Sequence, residues 1–438
     1  FASVALINPS GPAILLLPVE YFLTPFWKDL IIEFHPPEGR AAIVTWGYAG
    51  LLLVLQIVTI RSMRLWLVLP SAVFGCLAFM TQRSLLMFTV VSSPHMAFML
   101  DDIFFRTRRK RAAMLMLLPL LWIALTFLFI RRDRMFPPGT GINRGFHPVT
   151  IFSFIRGKVP RQNIYNDMRY GGGMLLWLYP EFSPFIDGRC EAYSLEFWRD
   201  IYVPVSLGNP CWRNVFNRYG VHGALLAAPG NRSDGNLARQ LRDDPRWSLV
   251  ALNDRTLFFL ENTPANASVT ETHSFDILWP GDAGLSRIIP ANADRALEEA
   301  GRLLKMDPSS LLGKTAMARA YMLKGDYGRA MPLYRGLSVE PGMSSSYRRD
   351  YGYCLYMTGN YEEAERIFRQ FPAGGENEWF AHYMLHFIMM RKGLTSQAVQ
   401  HLDRALTLNP EHEGLKNARK SFQRDMNRSG KREMRLCE

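Results

Sequence analysis

Two pairs of ionisable residues carry side chains that could do chemistry. Glu33 and His35 stand two residues apart in IIEFHPP, and Asp187 and Arg189 stand two apart in FIDGR. A carboxylate beside an imidazole can exchange protons with a substrate, and a carboxylate beside a guanidinium can bind a sugar or a phosphate. These four residues are therefore the candidates for binding a lipid headgroup or a sugar.

Each pair also has a purely structural interpretation. Glu33 and His35 fit an ordinary solvated loop, because two prolines follow them directly. Asp-Gly is a common turn dipeptide, in which Asp187 would pair with Arg189 or cap a following helix. The sequence leaves both interpretations open for each pair.

The sequence shows no pattern of metal ligands. Its nine histidines include no HExxH motif and its five cysteines include no CxxC spacing. The three glycines at 171–173 lack the GxGxxG spacing of a dinucleotide site. We therefore expect neither a metal nor a cofactor. Cys190 and Cys211 either form a disulfide or remain two thiols.

The first 130 residues contain most of the apolar runs. Residues 1–8 fit the end of an earlier span, and four further runs cover 41–60, 65–80, 85–100 and 112–130. The first and last of these four are uncharged for about twenty residues, the length of a transmembrane helix. The two shorter runs also fit buried core helices. The pattern predicts a transmembrane region over residues 1–134.

Basic residues between these runs predict an orientation. RSMR (61–64) and RTRRKR (106–111) alternate with loops that carry little charge, as expected when basic loops face the cytosol. Residues 131–438 then lie outside, although RRDR at 131–134 argues against this. The expected location is a bacterial inner membrane, multi-pass, with extracytoplasmic C-terminal domains. A net charge of +12 permits nucleic acid, but a basic run between apolar spans favours membrane lipid as the partner.

Residues 145–262 alternate short apolar runs with helical ones, which predicts a small α/β domain. VTIFSFIRG and NLARQLRDDP are typical of helices, and QNIYND, SPFIDGR, WSLVALND and RTLFFLEN of strands. RYGGGMLLWLYP fits a glycine turn before an apolar segment. Residues 263–292 are a linker.

Four segments taken in order resemble a known family: NPSG, IIEFHPP, QRSLLMFTVVSSPHMAF and IYNDMRYGGGMLLWLYPEFSPFIDGR. They are similar to the C-terminal half of GT-C type membrane glycosyltransferases, the dolichyl-phosphate-mannose mannosyltransferase-like class. The resemblance implies a polyprenyl-phosphate sugar as donor, used at the outer membrane face. The family's catalytic carboxylate belongs to the first outer loop, which is absent from this sequence, so no catalytic residue is assigned.

The C-terminal region repeats with a period of 34 residues. Gly325, Gly359 and Gly393 follow this interval, and so do three alanines that begin at Ala330. A 34-residue period with small residues where helices cross is typical of tetratricopeptide repeats. We expect half a repeat at 293–309, three repeats over 311–410 and a capping helix from Glu413, within a domain that spans 293–425.

Stacked repeats of this kind form a superhelix with a concave face. An aromatic and arginine-bearing groove suits a protein or peptide partner. The alternative is that several of these side chains pack against the α/β domain. The residues expected on the concave face are Thr315, Arg319, Met322, Arg349, Tyr353, Tyr356, Tyr383, Phe387 and Met390.

The sequence thus predicts a multi-domain chain: an α-helical transmembrane region, a small extracytoplasmic α/β domain and an all-α tetratricopeptide-repeat solenoid. The expected function is that of a membrane-anchored bacterial envelope protein that presents a protein-interaction surface. The alternative is an active glycosyltransferase that uses a lipid-linked sugar and whose catalytic part would precede Phe1.

Overall fold

The computed structural model describes residues 26, 35–62, 64–82, 84–106, 147–229, 236–281, 285–338, 345–371 and 373–436. The chain divides into two compact units, Phe1–Asn143 and Arg144–Glu438. The second unit contains both the sheet and the C-terminal helices. Each unit is described by itself.

The first unit contains three described helices: α1 (Gly39–Val58), α2 (Leu65–Met80) and α3 (Ser84–Arg106). Gly75 of α2 permits close packing on α3, because an added Cβ would lie 3.2 Å from a ring carbon of Phe88. The Tyr48 hydroxyl lies 2.8 Å from the Ser92 hydroxyl across α1 and α3. A core cluster of buried apolar residues consists of Leu52, Leu55, Ala78, Phe88, Met99 and Ile103.

The predicted transmembrane region requires correction. In the part of the chain that the structure describes, no helix combines the length and apolar character needed to cross a membrane. Helix α2 has 16 residues, fewer than the roughly twenty that a spanning helix needs. Helix α3 carries Ser92, Ser93, Pro94 and His95 near its middle. The expected multi-pass location in a bacterial inner membrane, and the extracytoplasmic side assigned from it, are wrong on this finding. The runs at 1–8 and 112–130 lie outside the described residues.

The second unit begins with a four-stranded mixed sheet in the order β1-β2-β4-β3. Strand β1 (Asn163–Asn166) pairs in parallel with β2 (Val221–Ala227). Strands β3 (Trp247–Leu252) and β4 (Thr256–Glu261) form an antiparallel hairpin, and β4 also pairs antiparallel with β2. The described fold is therefore mostly helical with one small mixed sheet.

In the described part of this region, six short α-helices accompany the sheet, and a π-helical turn (Phe197–Tyr202) leads into one of them. Residues of β2, β3 and β4 are almost entirely buried, because helices and loops cover both sheet faces. One face packs on α4 and α5 through Ile151, Phe152 and Met174. The helices are α4 (Val149–Lys158), α5 (Met168–Trp177), α6 (Val203–Ser206), α7 (Trp212–Tyr219), α8 (Asn236–Asp243) and α9 (Ala267–His273).

The sequence patterns predicted some of these elements and missed others. The helix at VTIFSFIRG and the strands at QNIYND, WSLVALND and RTLFFLEN are present. The glycine run at 171–173 was expected in a turn but lies inside α5. SPFIDGR was expected as a strand, yet it contributes only an isolated bridge between Pro184 and Ile164.

The rest of the unit is a row of antiparallel helices, which we call the helical array. Three hairpin turns at the predicted 34-residue interval contain Gly325, Gly359 and Gly393, with φ of 75°, 85° and 74°. In each turn the glycine N–H bonds the carbonyl three residues back, and the next N–H bonds the carbonyl five back. This is a helix end that favours glycine. The helices are α10 (Ala293–Met306), α11 (Leu311–Leu323), α12 (Tyr327–Ser338), α13 (Ser345–Met357), α14 (Tyr361–Phe368), α15 (Glu378–Arg391), α16 (Thr395–Leu408) and α17 (Glu413–Leu436).

Two carboxylates fasten the array to the preceding part of the unit. Asp254, in the β3–β4 turn, accepts hydrogen bonds from Leu311 N at 2.9 Å, Leu312 N at 2.9 Å and the Ser310 hydroxyl at 2.7 Å. It thereby caps α11, whose first amides have no partner within the helix. The fully buried Glu299 of α10 accepts backbone N–H bonds from residues 276–278. The segment predicted as a linker is thus held in place by this carboxylate.

Candidate functional site

Asp187 and Arg189 occupy a turn in which they bind each other. The Asp187 side chain is 2 % exposed, and its Oδ1 accepts the Arg189 backbone N–H at 2.8 Å. The Arg189 guanidinium donates to Oδ2 at 2.6 Å. These hydrogen bonds lower the pKa of Asp187. The carboxylate is therefore ionised and fully engaged within the turn.

The same arrangement occurs at two other Asp-x-Arg sequences of the sheet region. Asp167 accepts the backbone N–H of Arg169 at 3.1 Å and its Nε–H at 2.9 Å. Asp244 accepts the backbone N–H of Arg246 at 3.1 Å and its guanidinium at 2.8 Å. Three copies of one local turn favour the structural interpretation of FIDGR over a binding site.

Of the other predicted pair, only His35 lies among the described residues. His35 is exposed, and its backbone carbonyl accepts the N–H of Gln82 at 2.9 Å. Glu33 lies outside the described residues. Cys190 and Cys211 are not joined by a disulfide. Among the described residues, no group of three or more His, Cys, Asp or Glu side chains could hold a metal ion.

The predicted concave face contains an open cavity of about 550 Å³ between α13 and α15. We call it the helical groove. At one end the Arg349 guanidinium donates to Asp350 at 2.8 Å and to the Asn377 side chain at 3.2 Å. The lining residues are Met322, Arg349, Asp350, Tyr353, Tyr356, Met357, Phe380, Tyr383, Met384 and Phe387.

Aromatic rings form the walls of the helical groove. Tyr353 lies 6.3 Å from Phe380, and Tyr356 lies 6.4 Å from Phe387, between ring centroids. Tyr383 lies 4.8 Å from Phe387 in an edge-on arrangement. Rings in such edge-on or tilted arrangements attract each other beyond simple area burial. The walls are therefore held in place before any ligand binds.

Two tyrosines of the groove have a raised pKa. Burial raises the pKa of Tyr383, and burial together with the neighbouring Tyr327 raises the pKa of Tyr353. The Tyr383 hydroxyl can therefore donate a hydrogen bond to a ligand carbonyl. The groove thus combines apolar walls with a few polar donors.

Six of the nine predicted concave residues line this cavity, and three do not. Thr315 is buried and donates to the Leu311 carbonyl at 2.7 Å. Arg319 donates to the Ile288 carbonyl at 3.3 Å, and Met390 is 40 % exposed outside the cavity. Asp350, Met357, Phe380 and Met384 were missed. Phe380 lies one helical turn before Met384, so extending the same helix face by one turn would have found both.

A second cavity of about 770 Å³ lies where α4, the β3–β4 turn and the α10–α11 connection meet. Its acidic residues already have partners. Asp254 caps α11, and Asp307 accepts the backbone N–H of Ser309 at 3.0 Å. The cavity is therefore a weaker candidate than the helical groove.

Comparison with known proteins adds no relative: no model of a known protein family matches the chain, and no curated protein matches its sequence. Neither the tetratricopeptide assignment nor the glycosyltransferase assignment is supported by these comparisons.

Proposed function

We propose that the helical groove binds a peptide segment of another protein, one that carries apolar side chains and an acidic residue. The observation that supports this most is the lining of the cavity, in which eight of ten side chains are Met, Tyr or Phe. Its volume of about 550 Å³ is within the usual range for ligand sites.

The chemistry of these side chains suits a peptide. Methionine is flexible and polarisable, so it adapts to ligand side chains of different shape. Tyrosine supplies a rigid apolar ring together with a hydroxyl that can bond a peptide group. Aromatic residues and methionine are enriched in the cores of protein interfaces.

The acidic residue is inferred from Arg391, which follows Phe387 by one turn on α15. Its guanidinium lies 5.0 Å from the ring centroid of Tyr361 and 5.9 Å from that of Tyr356. Among the residues that the structure describes, no carboxylate pairs with Arg391. A guanidinium stacked on rings keeps donors available for a carboxylate. The Arg391 Nε–H donates to the Tyr356 hydroxyl at 3.5 Å, and a ligand carboxylate at this end of the groove would pair with the other guanidinium donors.

The pair Asp187 and Arg189, a candidate for sugar or phosphate binding, does not support a role in sugar transfer. Asp187 and Arg189 bind each other, and either would have to break this turn to bind a sugar.

The test is a selection of peptides from a random displayed library against the whole chain, followed by affinity measurements on synthetic peptides. We expect selected peptides to combine apolar residues with Asp or Glu. Phe387→Ala should weaken binding more than about tenfold, because buried aromatic residues dominate interface energies. Leu176→Ala is the matched control. Leu176 is also an apolar residue in a helix, it is 67 % exposed, and it does not line the groove.

Circular dichroism checks that both variants remain folded. Equal affinity of a selected peptide for the wild-type chain and for Phe387→Ala would show that the groove is not the binding site. Selected peptides without acidic residues would leave the groove as the site but remove the role given to Arg391.

A further inference from the structure

Two imidazoles face each other in the last helical hairpin, outside the helical groove. His382 lies on α15 and His401 on α16, with their Nδ1 atoms 2.9 Å apart and ring centroids 5.1 Å apart. Both side chains are half-buried, and His382 is 24 % exposed. A neutral imidazole has one donor and one acceptor nitrogen, so one Nδ1 carries the hydrogen and the other is bare.

Burial lowers the pKa of His382. Burial, together with the neighbouring His382 ring, lowers the pKa of His401 to about 4.

A carboxylate lies near the first ring. Glu378, one turn earlier on α15, places Oε1 3.7 Å from His382 Nε2, beyond hydrogen-bond distance. The same oxygen accepts the Arg404 guanidinium at 3.0 Å. Nearby Arg404 and Arg369 each pair with a carboxylate, Glu378 and Glu365. The positive charge around the two rings is therefore largely compensated.

We propose that His382 and His401 bind one divalent transition-metal ion through their Nδ1 atoms, as imidazole prefers ions of the Zn²⁺ and Cu²⁺ type. Two nitrogens that each lie 2.0–2.1 Å from one tetrahedral ion are about 3.3 Å apart. The observed 2.9 Å needs to widen by only a few tenths of an ångström, and the hydrogen between the rings moves to an outer nitrogen. Water completes the coordination.

Such an ion would join α15 to α16 and stabilise the folded chain, since it binds the folded state in preference to the unfolded one. The sequence could not reveal the site, because its two ligands lie on different helices and are separated by 19 residues.

The experiment is calorimetric titration of the whole chain with ZnCl₂ at pH 7. We expect one ion to bind per chain and to raise the unfolding temperature. His382→Gln and His401→Gln should each weaken binding more than about tenfold, because each removes one of two protein ligands. His222→Gln is the control, since His222 lies in the sheet and contacts Glu261 at 2.6 Å instead of a second histidine.

X-ray absorption of the zinc-loaded wild-type chain tests the same site without a substitution. Two imidazoles in the coordination sphere support the proposal, and a sphere of oxygen ligands alone overturns it. Unchanged affinity and stoichiometry in the double variant His382→Gln/His401→Gln also overturn it.

Discussion

The FIDGR turn and the helical groove both contain an arginine and an acidic residue, but they differ in what these groups face. In the turn, the Asp187 carboxylate takes its hydrogen bonds from Arg189, two residues away. In the groove, Arg349 pairs with Asp350 at one end, while the apolar walls between α13 and α15 remain open. Ionisable residues that stand close in sequence can satisfy each other locally. The open cavity is built from residues on different helices of the array.

The largest change in stability is expected from a side chain added where α5 packs on the FIDGR turn. A Cβ on Gly171 would lie 2.2 Å from the Ile186 carbonyl oxygen and 2.5 Å from the Asp187 Cα. Because these are backbone atoms, Gly171→Ala should lower the free energy of unfolding by about 3 kcal/mol, measured by urea denaturation. Gly172→Ala is the matched control in the same helix, with no atom within 4 Å of its Cβ. It should be neutral or stabilise by up to about 1 kcal/mol. Equal effects of the two substitutions would mean that the turn is not packed as described.

A smaller change in stability is expected when the pH is lowered. The hydrogen bonds from Arg246, with a further one from Arg213, lower the pKa of Asp244 to about 2. A folded-state pKa below the unfolded value of about 3.9 stabilises the fold above that value, and this stability is lost as the pH falls toward 2. Asp244 should thus contribute about 2 kcal/mol that disappears between pH 4 and pH 2.

Denaturation curves of Asp244→Asn across this pH range provide the measurement. The variant should be less stable than the wild-type chain at pH 7, and its free energy of unfolding should fall less between pH 4 and pH 2. Asp243→Asn is the control, since Asp243 is 68 % exposed beside its own arginine. If Asp244→Asn lost stability with falling pH as steeply as the wild-type chain, Asp244 would not be the group responsible.

The smallest effect concerns the groove. Arg391→Ala should weaken binding of an acidic peptide only modestly, by roughly fivefold or less, because an exposed ion pair contributes little. The loss should shrink as salt is added, since exposed charges are screened. Arg189→Ala should leave peptide affinity unchanged, which separates the turn from the groove in a single binding assay. If Arg189→Ala weakened binding as much as Arg391→Ala, the distinction between the two regions would fail.

Local patterns predicted elements whose environment matches their sequence. Trp247–Leu252 and Thr256–Glu261 form strands as expected, because apolar runs of this length fit a buried sheet. The local pattern of the glycines at 171–173 predicted a turn, but these residues lie in a helix. Gly171 touches the 186–187 backbone, and a Cβ on Gly173 would lie 2.8 Å from the Phe152 ring. Close packing, which the sequence does not display, therefore decides their place in a helix.

Apolar runs in the first unit were the least informative. They identified α1, α2 and α3 closely in position, but the prediction that these helices cross a membrane is wrong. An apolar run indicates that side chains avoid water, and it does not identify what replaces the water. The 34-residue interval was more informative about the candidate site, because a repeated spacing constrains which residues share a face. It located Tyr353, Tyr356 and Phe387 in the groove, whereas the Arg319 contact with Ile288 depends on a segment outside the interval.

The similar backbone angles at Gly325, Gly359 and Gly393 have a consequence for how such a chain can change in length. An in-frame duplication or excision of one 34-residue segment returns the backbone to an equivalent point, with its turn already in place. The array could therefore be extended or shortened in whole units by a single genetic event.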